Sequence, residues 1–243
     1  LSEPPSKPTF RLLSEFQKLF EGHIYKHRAS NQGDYIAMHL YEDLVAVNRS
    51  PKLVDAVKNE ILVLNVANRL QGIRARRGDG TFGEIVPGET PIRDEGYVVA
   101  RGKIATVEIG VEVKILAKAM IKQIDRVIND LRNQVVQFRR GGGHSLCIAA
   151  VGVNQADHYV SFEGDRTWPT TGKSGYLHPI QEAKEAERRL IEYAAPTYNE
   201  FLVLRYKATN EEPYPFEWVD FDETRLNYAA VLTRISSAFQ QRL

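Results

Sequence analysis

The sequence predicts an α/β fold in which a mixed sheet is flanked by helices. Three observations carry the prediction. Several segments place apolar residues three and four apart, the spacing of one helix face, as in residues 117–138. Others alternate apolar with polar residues, as in "VEIGVEVKIL", or run continuously apolar, as in "SLCIAAVGV". The first pattern is a half-buried strand and the second a strand buried on both faces. Order decides the topology: about three strands joined by short turns precede a long helix and then a further strand. Short turns demand antiparallel neighbours, whereas a strand reached through a helix returns parallel.

Taken in chain order, residues 1–9 are a Pro/Ser leader that reads as a mobile tail. Residues 10–243 read as one domain, with a core at about 50–153 and a C-terminal elaboration at 154–243. "FRLLSEFQKLF" is a short amphipathic helix, and "GDYIAMHLYEDLVAV" fits helix or strand. A single helix is expected from Ser50 to Gly72. Ser50 caps it, Pro51 suits its first turn, Leu53, Val54, Val57, Ile61 and Leu64 line one face, and Gly72 stops it. "IRARRGDGTFGEIVPG" reads as a strand or hairpin with glycine turns. "YVVAR" and "IATVEIGVEVKIL" read as two strands joined by a tight turn at "GK".

The long helix that follows has Met120, Ile121, Ile124, Val127, Ile128, Leu131, Val135 and Phe138 as its apolar set, and "RRGGG" ends it. After the buried strand "SLCIAAVGV" comes "SFEGDRTWPTTGKSGYLHP", which reads as a long polar and aromatic loop. Trp168 and Tyr176 there suit contact with DNA bases or a partner subunit, or the loop simply covers the sheet. "HPIQEAKEAERRLIEYAA" is a helix, "EFLVLRYKA" and "PFEWVDF" are strands, and "ETRLNYAAVLTRISSAFQQ" is a closing helix.

Composition excludes several classes. With 243 residues, 43% apolar and 26% charged, the chain is long enough for a real core and too apolar for disorder. A net charge of +1 gives no global basic field, so contact with nucleic acid has to be a local patch. Cys147 is the one cysteine, which rules out a disulfide within the chain and points to a reducing compartment. It sits in an apolar run without charged neighbours and reads as a buried structural thiol. The first residues lack a signal-peptide core, and no apolar run approaches the roughly 20 residues that span a bilayer. The expectation is a soluble, cytoplasmic protein.

One strand carries unusual chemistry. Side chains two apart on a strand share a face, so Glu108, Gly110, Glu112 and Lys114 line up together. Carboxylates hold Mg²⁺, a hard cation that prefers oxygen ligands. A lysine beside them orients water and offsets charge on a phosphoryl transition state. A surface ion pair is the bland alternative. Glu182 and Lys184 have the same spacing, but they lie in a predicted helix, where positions two apart diverge by about 200°. The pair at 112 and 114 differs by its setting, on a strand that precedes a crossover helix.

In that setting "VEVKI" resembles the second half of the PD-(D/E)XK signature of the restriction-endonuclease-like nuclease superfamily, over residues of about 50–153. The resemblance implies an αβββαβ core and Mg²⁺-dependent hydrolysis of DNA phosphodiesters, with Mn²⁺ as a substitute. A type II restriction endonuclease is one such activity, and cleavage of both strands implies a homodimer with one site per strand. By the same resemblance Glu112 binds metal, the carbonyl of Val113 adds a ligand and Lys114 orients the attacking water. The signature's first half is an acid on the preceding strand, often in Pro-Asp. This chain has no Pro-Asp: Glu84 in "GEIVPG" is the leading counterpart, Asp79 in "RRGDG" the second and Asp94 in "IRDEG" the third. That departure sustains a rival reading, a catalytically inactive nucleic-acid-binding or regulatory module on the same fold.

Further positions follow from the same comparison. Glu60 matches the glutamate that many members carry on the first helix, or is a rim carboxylate. Glu108 is an outer ligand or the wet end of the strand. Gly110 leaves that face open, or marks a bulge. "QVVQF" resembles a Gln-x-x-x-Tyr helix motif with Phe138 in place of tyrosine, so Gln134 contacts substrate phosphate, positions Lys114, or is an ordinary polar position. Arg74, Arg76 and Arg77 clamp the DNA backbone or form a solvated face. "TGKSG" lacks the upstream glycine of a phosphate loop, and His23 and His27, four apart, lack the acid of a zinc motif. No Gly-x-Ser-x-Gly elbow or dinucleotide fingerprint is present.

Overall fold

The first helix, α1 (Arg11–Lys18), docks on α2 (Gln32–Ala46), and α3 (Pro51–Lys58) follows. The computed structural model describes residues 9–26, 32–66, 79–140, 143–163, 166–170 and 178–242. Ser50 caps α3 by accepting the Leu53 N–H at 3.2 Å, with Pro51 in the first turn. The helix stops at Lys58, far short of Gly72. Glu60 takes a left-handed conformation (φ 57°) and the chain enters β1 (Leu62–Asn65). Packing explains the correction. Ile61, placed on the supposed helical stripe, is 50% exposed, whereas Leu62, Val63 and Leu64 are all buried. Consecutive burial on both faces is what a strand interior offers and a one-sided helix does not.

The remaining elements are β2 (Gly80–Glu84), β3 (Arg101–Gly102), β4 (Ile109–Leu116), α4 (Met120–Phe138), β5 (Leu146–Asn154), β6 (Tyr159–Glu163), β7 (Arg166–Thr170), α5 (Pro179–Tyr193), β8 (Glu200–Ala208), β9 (Phe216–Trp218) and α6 (Phe221–Gln240). Seven of the strands form one sheet in the order β3-β1-β2-β4-β5-β8-β9. β1 with β2 and β2 with β4 are antiparallel, while β4 with β5 and β5 with β8 are parallel. This is the expected mixed sheet, with α4 as the crossover between two parallel strands.

Two expectations change. β3 is only two residues long and pairs parallel with β1 at the sheet edge, so no hairpin joins it to β4. The backbone of residues 104–105 is used by β2 instead: the Ala105 N–H donates to the Glu84 carbonyl at 2.7 Å. Part of the expected loop at 161–179 is also regular, since β6 and β7 pair as a separate two-stranded sheet.

The sheet separates two apolar layers. On one side α1, α2, α3 and α6 supply Phe16, Leu40, Tyr41, Leu53 and Leu232 against Ile109, Val111 and Ile148. On the other, α4 and α5 supply Ile124, Leu131, Phe138 and Leu190 against Cys147, Ala149 and Val151. All nine residues of β5 are buried, as its continuous apolar run requires. Cys147 is buried and free, and burial raises its thiol pKa. Among the described residues no helix is long and apolar enough to cross a membrane.

Candidate active site

β2 and β4 run antiparallel with Gly80 opposite Val111 and Phe82 opposite Ile109. Continuing that register one step sets Asp79 opposite Glu112, and directly opposed residues share a face. The backbone confirms the approach: Asp79 Oδ2 accepts the Val113 N–H at 2.7 Å. β2 begins only at Gly80, so Asp79 takes a β4 amide that lies beyond the strand pairing. In an extended strand the N–H and C=O of one residue leave on the same side. The Val113 carbonyl is therefore directed toward the same open edge. Gly33, at the start of α2, makes room for the acid, since a Cβ there would lie 2.3 Å from Asp79 Cγ.

Glu112 is 6% exposed. Its Oε1 pairs with Lys114 Nζ at 2.7 Å, while Oε2 is buried with no hydrogen-bond partner among the described residues. Burial, reinforced by the negative field of Asp79 and opposed by Lys114, pushes the Glu112 carboxyl up to about 7. Burial works against the Lys114 charge, but Glu112, Asp79 and Asp130 outweigh it and raise the ammonium above its ordinary value. The group is a mutually dependent set of two acids and one base.

Asp79 and Lys114 border a cleft of about 300 Å³, which Val113 also lines on the sheet, with Tyr25 on one wall and Gln123, Arg126 and Asp130 of α4 on the other. A larger cleft of about 380 Å³ lies elsewhere, lined in part by Asp157, Lys207 and Glu217. Its polar groups already have partners, Lys207 with Glu217 at 3.3 Å and Asp157 with His158 at 3.1 Å. The first cleft is distinguished by Lys114, whose partner Glu112 lies buried behind it with Oε2 unpartnered among the described residues.

The other predicted positions scatter. Glu84 is exposed at the far end of β2, opposite Leu62. It lies five residues, roughly 17 Å, from Asp79 and on the opposite face by strand parity, so it cannot share an ion with Glu112. Asp79 is the predicted acid that stands beside Glu112 instead. Asp94 is bound to Arg101, whose Nη2 donates to Oδ1 at 2.7 Å. Glu60 follows α3 and pairs with Arg93 at 2.5 Å. Glu108 pairs with Arg242 at 3.0 Å. Arg74, Arg76 and Arg77 lie outside the described residues, as do Tyr176 and His27.

Gln134 is half-buried on α4. It sits one turn from Asp130, which acts on Lys114, and one turn from Phe138, which covers Gly110. One such turn advances about 6 Å, nearly the same as two strand residues, so Gln134 falls level with Glu112. Gly110 does not leave the face open, because the Phe138 ring fills the space where its side chain would be.

Sequence reasoning missed Gln123, Arg126 and Asp130. Their signal was available: they border the buried stripe Ile124, Val127 and Leu131, and a crossover helix presents such a border to the sheet it covers. Gly33 carried none. Among the described residues no three His, Cys, Asp or Glu side chains converge as a metal cluster. The oxygen donors on the sheet are the Asp79 and Glu112 carboxylates and the Val113 carbonyl, and α4 adds the Asp130 carboxylate on the facing wall of the cleft. No family model, curated protein or solved structure matches the chain.

Proposed function

We propose that the chain is a Mg²⁺-dependent DNA endonuclease built on a restriction-endonuclease-like αβββαβ core. The run α3, β1, β2, β4, α4, β5 has that order, interrupted only by the two-residue β3. The observation that carries the reading is the convergence of Asp79 with Glu112 and Lys114, tied by the Asp79–Val113 hydrogen bond, with Glu112 Oε2 unpartnered among the described residues.

The donor set fits a hard divalent cation. All its donors are oxygens, and Mg²⁺ typically takes only one or two carboxylates, completing its shell with water and substrate phosphate. Asp79, Glu112 and the Val113 carbonyl would hold it. Once bound, the ion supplies Lewis-acid polarisation of the phosphoryl oxygen and a more acidic water. The chain's own groups then have definite tasks. Lys114 Nζ, already placed 2.7 Å from Glu112, orients the attacking water and offsets negative charge as the diester becomes pentavalent. Glu112 holds Lys114 in place. Gln134, level with Glu112, is positioned to steady the lysine or a phosphate oxygen.

The test is nicking of supercoiled plasmid in Mg²⁺ against EDTA. Wild type is expected to nick only with the metal, and Asp79→Asn and Lys114→Ala to lose at least about 100-fold, the scale of a lost electrostatic group at a phosphoryl centre. Full activity in Glu112→Ala would refute the mechanism. Metal-independent DNA binding without nicking would assign the chain to the rival class, an inactive nucleic-acid-binding module. Cleavage of both duplex strands calls for two sites, and the proposal accordingly includes a homodimer, which sedimentation with and without DNA tests.

A further inference from the structure

The wall of the cleft formed by α4 holds a cation with no partner among the described residues. Arg126 is exposed and lines the same cleft as Asp79 and Lys114. It has no ion-pair or hydrogen-bond partner among the described residues. Two arginines of α5, by contrast, are committed: Arg189 bonds Glu185 at 2.9 Å and Asp125 at 3.3 Å, and Arg188 bonds Glu185 at 2.8 Å. Lys114 itself is bound to Glu112.

Position along the strand gives Arg126 its task. α4 runs back along β4, with Phe138 over Gly110 and Asp130 acting on Lys114. One turn further toward the start of the helix, about 6 Å, Arg126 stands beyond Lys114 toward Leu116, at the outer part of the cleft. A guanidinium presents a planar fork that matches two phosphate oxygens, and it remains charged at any working pH. We propose that Arg126 holds the DNA phosphate next to the scissile one, fixing the backbone so that the scissile diester itself reaches Lys114. This inference rests on the nuclease reading and extends it to how the strand is held.

The experiment measures binding of labelled duplex DNA to the full chain with Ca²⁺ in place of Mg²⁺, across roughly 50 to 200 mM salt, together with steady-state nicking in Mg²⁺. Arg126→Ala lies on an exposed helix position and exchanges arginine for the best helix former, so the fold is retained. It is expected to weaken DNA binding about tenfold, the size of one charge-assisted contact, and to raise KM with little change in kcat. The slope of log affinity against log salt should shrink by about 0.9, one phosphate contact. Arg126→Lys should restore the slope and only part of the affinity. If Arg126→Ala binds with unchanged affinity and slope while Asp79→Asn abolishes nicking, this inference is overturned and the nuclease reading stands. If wild type neither binds duplex nor nicks it, both are overturned together.

Discussion

Gly110 sits in the strand that carries the acid because Phe138 occupies its place: a Cβ there would come within 2.5 Å of the ring. Phe138 is 1% exposed and has nowhere to retreat. Gly110→Ala is therefore expected to cost about 1–3 kcal/mol by overpacking, read as a lower urea midpoint at constant m. Gly33 is constrained by the acid itself. Gly33→Ala should leave stability nearly unchanged, because alanine favours the helix start, yet displace Asp79 and abolish Mn²⁺ binding measured by calorimetry. A variant that binds Mn²⁺ normally would remove Asp79 from the proposed ion site. Asp79 was legible in the sequence only as second choice to Glu84, and strand parity explains why. Without knowing that β2 begins at Gly80, nothing in "GDGTFGE" tells which acid falls on the face of Glu112. Glu112 adds a pH signature. Its carboxyl, near 4.5 unfolded, is raised to about 7 in the fold, chiefly by burial. The folded chain then binds the proton more tightly than the unfolded one, so its stabilising contribution is complete below about 4.5 and is lost as pH rises through 7. In EDTA the melting temperature should fall across that window, and Glu112→Gln should flatten the fall. An unchanged slope in the variant would place the titration elsewhere.

At the scale of elements, α2 is where local pattern fails. Residues 36–45 of this helix are all buried, among them His39, Glu42 and Asp43, so no apolar stripe marks its period. Sequence left it open between helix and strand for that reason. The buried acids have structural work. α1 begins at Phe10, which offers no capping side chain, and Asp43 replaces the cap by accepting the Arg11 N–H at 2.8 Å and the Leu12 N–H at 2.9 Å. It also accepts the Tyr228 hydroxyl of α6 at 2.9 Å. Glu42 binds the N–H groups of Val98 and Val99 at 2.9 and 2.7 Å. One turn of α2 thus ties together α1, α6 and the segment leading to β3. Asp43→Ala strands three donors and should cost about 3 kcal/mol, whereas Asp43→Asn, which keeps an acceptor, should cost less. Equal losses for both would mean that charge rather than hydrogen bonding holds the junction. By contrast α4, β5, β8 and α6 were legible almost to the residue, because each has one clear period or is apolar throughout. The division of residues 50–72 into α3 and β1 was not: "EILVL" satisfies a helical stripe on paper, and only burial on both faces decides for a strand.

At the scale of the whole molecule, strand pairing and burial fall off from the centre of the sheet to its edges, and the proposed site lies where β4 loses its partner on one side. β5 is paired along most of its length to β4 on one side and β8 on the other, and it is buried throughout. β4 shares that support on one edge only. Its strand pairing to β2 ends at Val111, and beyond it the Val113 N–H is held by the Asp79 carboxylate. A fixed strand with a free edge suits chemistry that needs one acid immobile and space beside it for substrate. Hydrogen exchange should register the arrangement. Amides of β5 are expected to exchange slowest, through global unfolding, and those of β3 and β9 at the sheet edges earlier. In Asp79→Ala the Val113 amide loses its acceptor and should exchange much faster, with β5 unaffected. Acceleration spreading into β5 would make Asp79 a keystone of the sheet, and the expected loss of nicking could then no longer be assigned to the proposed metal site. An unchanged Val113 amide would remove Asp79 from the strand edge, and with it the geometry on which two acids and a lysine are brought together.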